Sequence, residues 1–196
     1  MFKFSLKNIN IWVTGLIFIF LFACQKDNQD SEQLSSISDQ EKQVIIEKIY
    51  SQQKEINLCN QQRDKDLSKD SANIFVLNDR TYLIEIICFL GAYQSNYQYL
   101  LFDRTSEEIE VINFETFDNS TDNLRLTKTN TINGMTDFDT TEKNLMVITK
   151  SRGMGDCGSF AQYKWYDNRF KLMEYRYKKD CDEVYIPPED YPLIYP

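Results

Sequence analysis

Histidine is missing from all 196 residues of the sequence. It is the general base of most serine and cysteine hydrolases and the commonest metal ligand in proteins. Ser-His-Asp and Cys-His catalysis are therefore excluded. The five cysteines are widely spaced and form no Cys-x-x-Cys pair, so the ligand spacing of a structural zinc site is missing as well.

Positive charge is also scarce, because 22 Lys and Arg stand against 30 Asp and Glu and the net charge is −8. This argues against a nucleic-acid partner, because phosphate neutralisation needs clustered Lys and Arg. Acidic loops starting at Asp64 and Asp118 resemble calcium loops in length. Their twelfth positions hold Phe75 and Thr129, where an EF-hand needs Glu. We predict no metal site and no cofactor.

Glycine and proline are few, with six and four residues, whereas aromatic residues make up 14% of the chain. This composition is typical of a folding sequence rather than of a disordered one. Without its first 23 residues the chain is long enough for one core and has little room for two. We predict a single helix-plus-antiparallel-β domain over residues 37–196.

The amino-terminal 23 residues have the pattern of an export signal. Lys3 and Lys7 precede an apolar run over residues 11–22. This run is shorter than a typical transmembrane helix. The run ends in Leu-Phe-Ala-Cys and resembles a bacterial lipobox, so we expect lipidation of Cys24; an ordinary secretory signal is the alternative. Residues 24–36 are polar and are predicted to be a flexible tether. Gln25 favours the outer membrane over the inner one, with the domain in the periplasm or at the cell surface.

One amphipathic helix is predicted at the start of the domain. The sequence Ser-Asp-Gln-Glu from Ser38 is a capping box, which predicts a helix start there. We expect the helix to end between Gln53 and Cys59. Its apolar face is predicted to comprise Val44, Ile45, Ile46, Ile49 and Tyr50.

The remainder has the alternation of β-strands. Short connections without intervening helices predict an antiparallel sheet or meander. The run around Ile84 and Ile86 is apolar on both faces except for Glu85, which predicts a strand buried on both sides. We expect residues 119–131 to be a mobile loop and residues 186–196 to be extended. About seven strands are predicted, over residues 73–77, 82–90, 97–103, 109–117, 144–150, 160–166 and 170–178.

The last two strands form a hairpin around a two-residue turn at Asp167 and Asn168, since both residue types tolerate positive φ. The predicted register pairs Trp165 with Phe170, Tyr163 with Leu172 and Ala161 with Glu174, and Lys164 with Lys171 on the other face. It also places Cys157 opposite Lys178, near Cys181. We therefore predict two disulfides, Cys157–Cys181 and Cys59–Cys88; four free buried thiols are the alternative.

Three stretches carry a resemblance to a known family. They begin at Cys88 (CFLGAYQSNYQYLLFD), Lys150 (KSRGMGDCGSFAQYKWYDNRFKL) and Cys181 (CDEVYIPPEDYPLIYP). They resemble the bacterial envelope family called domain of unknown function 1176, over roughly the C-terminal 110 residues. Its members are often nearly twice as long, so the chain resembles their C-terminal portion. The resemblance implies secreted, disulfide-bearing β structure and no known activity.

The glycine-rich loop before Cys157 is the candidate binding site. Its glycines let the backbone approach a partner, and Arg152 would offer a planar fork of donors to an anionic group. If Arg152 is exposed, its removal shifts Tm by less than about 3 °C. The alternative is an internal salt bridge with Asp156 or a nearby acid, whose removal costs stability. The loop comprises Ser151, Arg152, Gly153, Met154, Gly155 and Asp156.

Two classes of function stay open. The first is a non-enzymatic module that is held at the membrane by its lipid and binds an envelope protein or glycan; a lysozyme inhibitor is a specific version, by analogy of fold and location. The second is a carboxylate-dependent hydrolase, because the sequence alone cannot place two carboxylates at a catalytic separation. The lack of histidine favours the first.

Overall fold

The structure is a computed structural model that describes residues 37–64, 66–67, 69–119 and 123–196. The predicted leader, Cys24 and the predicted tether lie outside the described residues. Within this part of the chain no helix is long and apolar enough to cross a membrane.

Helix α1 spans Asp39–Ser51. The hydroxyl of Ser38 accepts a hydrogen bond from the N–H of Glu41, as the capping box predicts. The Glu41 carboxylate instead accepts from the Tyr82 hydroxyl and pairs with Arg104, which ties the first turn of the helix to the sheet.

The buried face of α1 is narrower than predicted. It comprises Ile45, Ile46, Ile49 and Tyr50, whereas Val44 is exposed, contrary to prediction. The helix also ends two residues before the predicted window. Turns and the 3₁₀ helix Leu58–Gln61 follow it and bring Cys59 to the sheet.

Eleven strands are present in the described residues, and all pairings are antiparallel. The prediction of a mainly β, antiparallel fold with one helix is confirmed. The strands are β1 Asn73–Val76, β2 Thr81–Leu90, β3 Ser95–Asp103, β4 Ile109–Val111, β5 Phe114–Asp118, β6 Arg125–Thr129, β7 Ile132–Asp139, β8 Asn144–Lys150, β9 Gly158–Tyr166, β10 Arg169–Lys178 and β11 Leu193–Tyr195.

The main sheet has the order β1-β2-β3-β7-β8-β9-β10-β11, and β4 also pairs with β3. Strands β7 and β4 lie one after the other along the same edge of β3. The first residues of β3 pair with β7, and its last residues pair with β4. Strands β5 and β6 form a separate hairpin.

The predicted count of about seven strands is too low. The predicted strand over residues 109–117 is two strands, β4 and β5, which belong to different sheets. Strand β6 lies inside the predicted mobile loop, and β7 and β11 were not predicted. In β6 and β7, exposed polar positions hide the apolar alternation that identifies a strand. The C-terminal segment also contains the 3₁₀ turn Pro188–Asp190, so it is not extended throughout.

Two cores lie on opposite faces of the main sheet. Helix α1 covers one face of β2 and β3, where Tyr82, Ile84 and Leu100 are buried. The β5–β6 hairpin covers the other face, where the Phe114 ring packs edge-on against Tyr163 at 5.1 Å between centroids. Strand β2 is therefore buried on both faces, as predicted, and Glu85 is buried with a hydrogen bond from the Thr136 hydroxyl.

The β9–β10 hairpin has the predicted turn, with φ of 51° at Asp167 and 56° at Asn168. The pairs Trp165–Phe170, Tyr163–Leu172 and Lys164–Lys171 are confirmed.

A bulge at Met173 then changes the register, so Tyr175, and not Glu174, pairs with Ala161. The bulge places an aromatic ring in the core where the regular register would place a carboxylate. It also moves Lys178 opposite Gly158 rather than Cys157.

Both predicted disulfides are present. Cys59 and Cys88 join the segment after α1 to β2, with 5.4 Å between their Cα atoms. Cys157 and Cys181 join the start of β9 to the segment that follows β10, with 4.9 Å between their Cα atoms.

Candidate binding surface around residues 151–156

The candidate loop connects β8 to β9 at one end of the main sheet. Its base is closed by a hydrogen bond of 3.1 Å from the Ser151 N–H to the Cys157 carbonyl. Gly158 follows with φ of +146°, and a Cβ there would lie 1.9 Å from the Thr149 carbonyl oxygen. Only glycine allows so close an approach of the two strands.

Asp156 is the centre of the loop, with a side chain only 1% exposed. Its carboxylate accepts a hydrogen bond of 2.8 Å from Arg152 Nε and a second from the other arm of the same guanidinium. The backbone N–H of Glu183 donates to it at 2.7 Å. The hydrogen bonds from Arg152 hold the pKa of the Asp156 carboxyl well below its usual range, with the Glu183 N–H also lowering it.

Arg152 therefore forms the internal salt bridge that the sequence left as the alternative to an exposed cation. Its guanidinium also donates to the Cys181 carbonyl at 3.1 Å. The Arg152 side chain is 38% exposed, but the two guanidinium nitrogens that bind Asp156, Nε and Nη2, are directed towards this buried carboxylate. Arg152 positions the loop and is not a free donor fork.

The end of β10 and segment 181–191 hold the loop from one side. Lys178 Nζ donates to the Asp156 carbonyl at 2.7 Å and also pairs with Asp182. The buried Tyr191 donates its hydroxyl proton to the Gly155 carbonyl at 3.3 Å. Together with the Cys157–Cys181 disulfide, these contacts fix the path of the chain after β10 against the loop.

The turn between β2 and β3 holds the loop from another side. The Gln94 side-chain oxygen accepts a hydrogen bond of 2.8 Å from the Lys150 N–H. The Tyr93 ring is so close to Gly153 that a Cβ on Gly153 would lie 3.5 Å from it. The three stretches that carry the family resemblance therefore meet at this end of the sheet.

Each of the three segments presents exposed apolar side chains. The exposed fraction is 44% for Tyr93, 62% for Met154 and 67% for Tyr185, and Val184 is exposed as well. We name these four side chains the candidate binding surface. Sequence reasoning included Met154 in the loop but gave most weight to Arg152, and it missed Tyr93, Val184 and Tyr185. An apolar residue at the tip of a glycine-rich loop is a usable signal.

Comparison with known families agrees with the resemblance. The family model described as Protein of unknown function (DUF1176) matches residues 24–196. The chain belongs to this family. The match extends beyond the roughly 110 C-terminal residues that carried the resemblance and includes α1 and β1. No curated protein and no solved structure matches the chain.

A pocket of about 210 Å³ lies at the opposite end of β9 in this DUF1176 chain. Its lining includes Asp103, Glu108, Glu110 and Trp165. Hydrogen bonds from the N–H groups of Ser106 and Thr105 lower the pKa of Asp103. In the described residues, no group of three or more His, Cys, Asp or Glu could hold a metal ion.

Proposed function

We propose that the domain is a non-enzymatic binding module that presents the candidate binding surface to an envelope protein or glycan. The observation that carries this proposal is the exposure of Tyr93, Met154 and Tyr185 on segments that a buried ion pair and a disulfide hold in place. Exposed apolar side chains around a rigid loop are typical of recognition sites.

The loop contacts also explain how binding would be favourable. Ordering a mobile loop opposes association, because conformational entropy is lost when the partner arrives. Here Asp156, Cys157 and Tyr191 fix the loop before binding. Most of the apolar contact area can then contribute to affinity.

The module is held at a membrane by lipid on Cys24 in this proposal. The positively charged and apolar pattern of residues 1–23 supports it, as does the start of the family match at Cys24. The domain would then act in the bacterial envelope, at the outer membrane, facing the periplasm or the cell surface.

Capture experiments with matched variants test the binding surface. A soluble domain starting at Asp30 is immobilised and exposed to envelope extract and, separately, to purified lysozyme. Met154→Ser and Tyr185→Ser should each reduce capture of the partner at least tenfold, with Tm shifted by less than about 3 °C because both side chains are exposed.

Met135→Ser and Tyr166→Ser are the matched controls, since both residues are exposed elsewhere on the sheet. They should leave capture unchanged. Equal capture by the Met154 and Tyr185 variants would show that the candidate binding surface is not the site. Inhibition of lysozyme by the unchanged domain would identify the partner as that enzyme.

Acyl labelling tests the anchor separately. Cys24→Ala should abolish incorporation of labelled palmitate and leave the unprocessed precursor, because the lipidation position then lacks its thiol. Undiminished labelling of the variant would remove the anchor from the proposal without affecting the binding surface.

A carboxylate-dependent hydrolase is the second candidate, and the pocket lined by Asp103, Glu108 and Glu110 favours it. The lowered pKa of Asp103 keeps that group ionised, so one of the two glutamates would have to be the acid. Release of soluble fragments from peptidoglycan by the domain, and its loss in Glu110→Gln, would support hydrolysis. The same variant should leave capture at the binding surface unchanged.

A further inference from the structure

The outer edge of β10 is paired over only part of its length. Strand β11 pairs with it at Tyr175 and Arg176. Before Tyr175, no strand in the described part of the chain pairs with β10 on this side. Residues 169–173 therefore leave an open sheet edge, next to a segment that already accepts a strand.

The geometry of the turn shows which groups face this edge. In a two-residue hairpin with positive φ at both turn positions, the flanking residues exchange both backbone hydrogen bonds. These residues are Tyr166 and Arg169. The N–H and C=O groups of Phe170 and Leu172 therefore point away from β9, while their side chains are buried in the core.

A groove of about 480 Å³ runs along this edge. The β5–β6 hairpin provides its opposite wall through Glu115 and Lys128, and Tyr195 lies at its end. Arg169 and Lys171 lie on the β10 side. Of the three cations in the lining, Lys128 lies opposite Glu115 in the β5–β6 pairing and Lys171 pairs with Asp167 at 3.7 Å. Arg169 is therefore the lining cation that has no carboxylate partner among the ion pairs of the described residues.

We propose that this groove binds an extended peptide with acidic side chains, which adds to the edge of β10 as one more strand in line with β11. Main-chain hydrogen bonds to Phe170 and Leu172 would hold the peptide, and Lys128 and Arg169 would select acidic residues. Strand addition to an open edge is a recurring mode of peptide recognition, and an open edge left without a partner is a liability for aggregation. The five residues 169–173 span about 17 Å, enough for one short strand.

This site is separate from the candidate binding surface. The groove lies at the turn end of the β9–β10 hairpin, and the loop of residues 151–156 lies at the other end. The two proposals can therefore fail independently.

Hydrogen exchange with a peptide library tests the proposal. The probe is a library of proline-free hexapeptides that alternate β-branched residues with Glu or Asp, added to the soluble domain. Addition should slow the amide exchange of Phe170 and Leu172 at least tenfold. The same library with N-methylated backbone, or with Lys in place of the acidic residues, should give no protection.

Two charge variants locate the peptide. Arg169→Glu and Lys128→Glu should each raise the Kd of the tightest library member at least tenfold, whereas Arg125→Glu, on β6 but outside the groove lining, should change it less than twofold. Equal binding by all three variants, or unchanged exchange at Phe170 and Leu172 with every peptide, would overturn the proposal. A dimer in sedimentation that already protects these amides without peptide would also overturn it, because the occupant would then be a second copy of the chain.

Discussion

At the scale of single residues, the pair of Arg152 and Asp156 determines how the loop is held. Asp156 is buried, and an unpaired buried carboxylate would be costly, so its partner is structural. Arginine suits this position because its planar fork donates two parallel hydrogen bonds to one carboxylate while a further bond reaches the Cys181 carbonyl. A lysine could supply the charge but not this geometry.

Replacing Arg152 should therefore destabilise the fold. We expect Arg152→Ala to lower Tm by roughly 5 °C or more, and Arg152→Lys to restore only part of the loss. Thermal unfolding followed by circular dichroism measures both. Arg125→Ala, at an exposed arginine on β6, is the control and should change Tm by less than about 2 °C. A shift of less than about 3 °C for Arg152→Ala would indicate that the ion pair contributes little to stability.

The internal pairing of Arg152 illustrates what the sequence could predict of the site. The loop and its glycines follow from the local sequence, and the Cys157–Cys181 disulfide follows from the hairpin register. The Cys59–Cys88 disulfide was predicted because these two cysteines remain. The contacts of Asp156 with the Glu183 N–H and of Gly153 with the Tyr93 ring join residues far apart in the chain. Such contacts depend on tertiary packing, so the choice between an exposed and an internal Arg152 needed the structure.

At the scale of elements, strands were predictable where burial alternates clearly and less so elsewhere. Strand β9 has buried residues at alternate positions around Tyr163 and was predicted within two residues of its start. Strand β6 is almost entirely exposed, so its sequence lacks an apolar face. The bulge at Met173 was not predictable from the regular hairpin register, because it is favoured by burial of the Tyr175 ring in a core built by other strands.

The Cys157–Cys181 disulfide ties two of these elements, and its removal should affect stability and the binding surface together. The linked residues are 24 positions apart, which corresponds to about 3.5 kcal/mol in the chain-entropy model. We expect the double variant Cys157→Ser with Cys181→Ser to lose roughly 3 to 4 kcal/mol of unfolding free energy in urea titrations.

The matched control for this experiment is the double variant Cys59→Ser with Cys88→Ser, which removes a link of 29 positions. It should lose a similar amount of stability but keep slow amide exchange in residues 181–185. Slow exchange there in the Cys157 and Cys181 variant as well would mean that Asp156 and Tyr191 hold the segment without the disulfide.

At the scale of the whole molecule, stability should depend on pH at both extremes. The pKa of Asp103, Asp156 and Asp182 is lowered in the folded state, chiefly by hydrogen bonds from backbone N–H groups, Arg152 and Lys178 respectively. The stability that these carboxylates contribute is therefore present above their unfolded pKa of about 4 and is lost as pH falls below it.

Buried tyrosines contribute stability that is lost at high pH rather than at low pH. Burial raises the pKa of Tyr82 to about 12 and raises the pKa of Tyr99 and Tyr163 as well. Because the neutral form is favoured in the folded state, their contribution is complete below an unfolded pKa of about 10 and is lost as pH rises above it.

We therefore expect Tm to be nearly constant between about pH 5 and pH 9 and to fall on both sides. Thermal scans across this range measure the profile. Asp156→Asn should lower Tm at neutral pH and make the decline below about pH 4 shallower, whereas Asp137→Asn, at an exposed position, should leave the decline unchanged. If Tm declines below about pH 4 as steeply in Asp156→Asn as in the unchanged protein, other carboxylates cause the decline.

The positions of the two disulfides along the chain also bear on how the native pairs can arise. Cys59 and Cys88 are joined within one stretch, and Cys157 and Cys181 within a later one, so neither loop encloses or crosses the other. During the export that we propose, each of these four cysteines would emerge next to its own partner in order. Oxidation of neighbours as they appear then gives the native pairs without thiol–disulfide reshuffling. Cells without a disulfide isomerase should accordingly produce the oxidised domain in full yield.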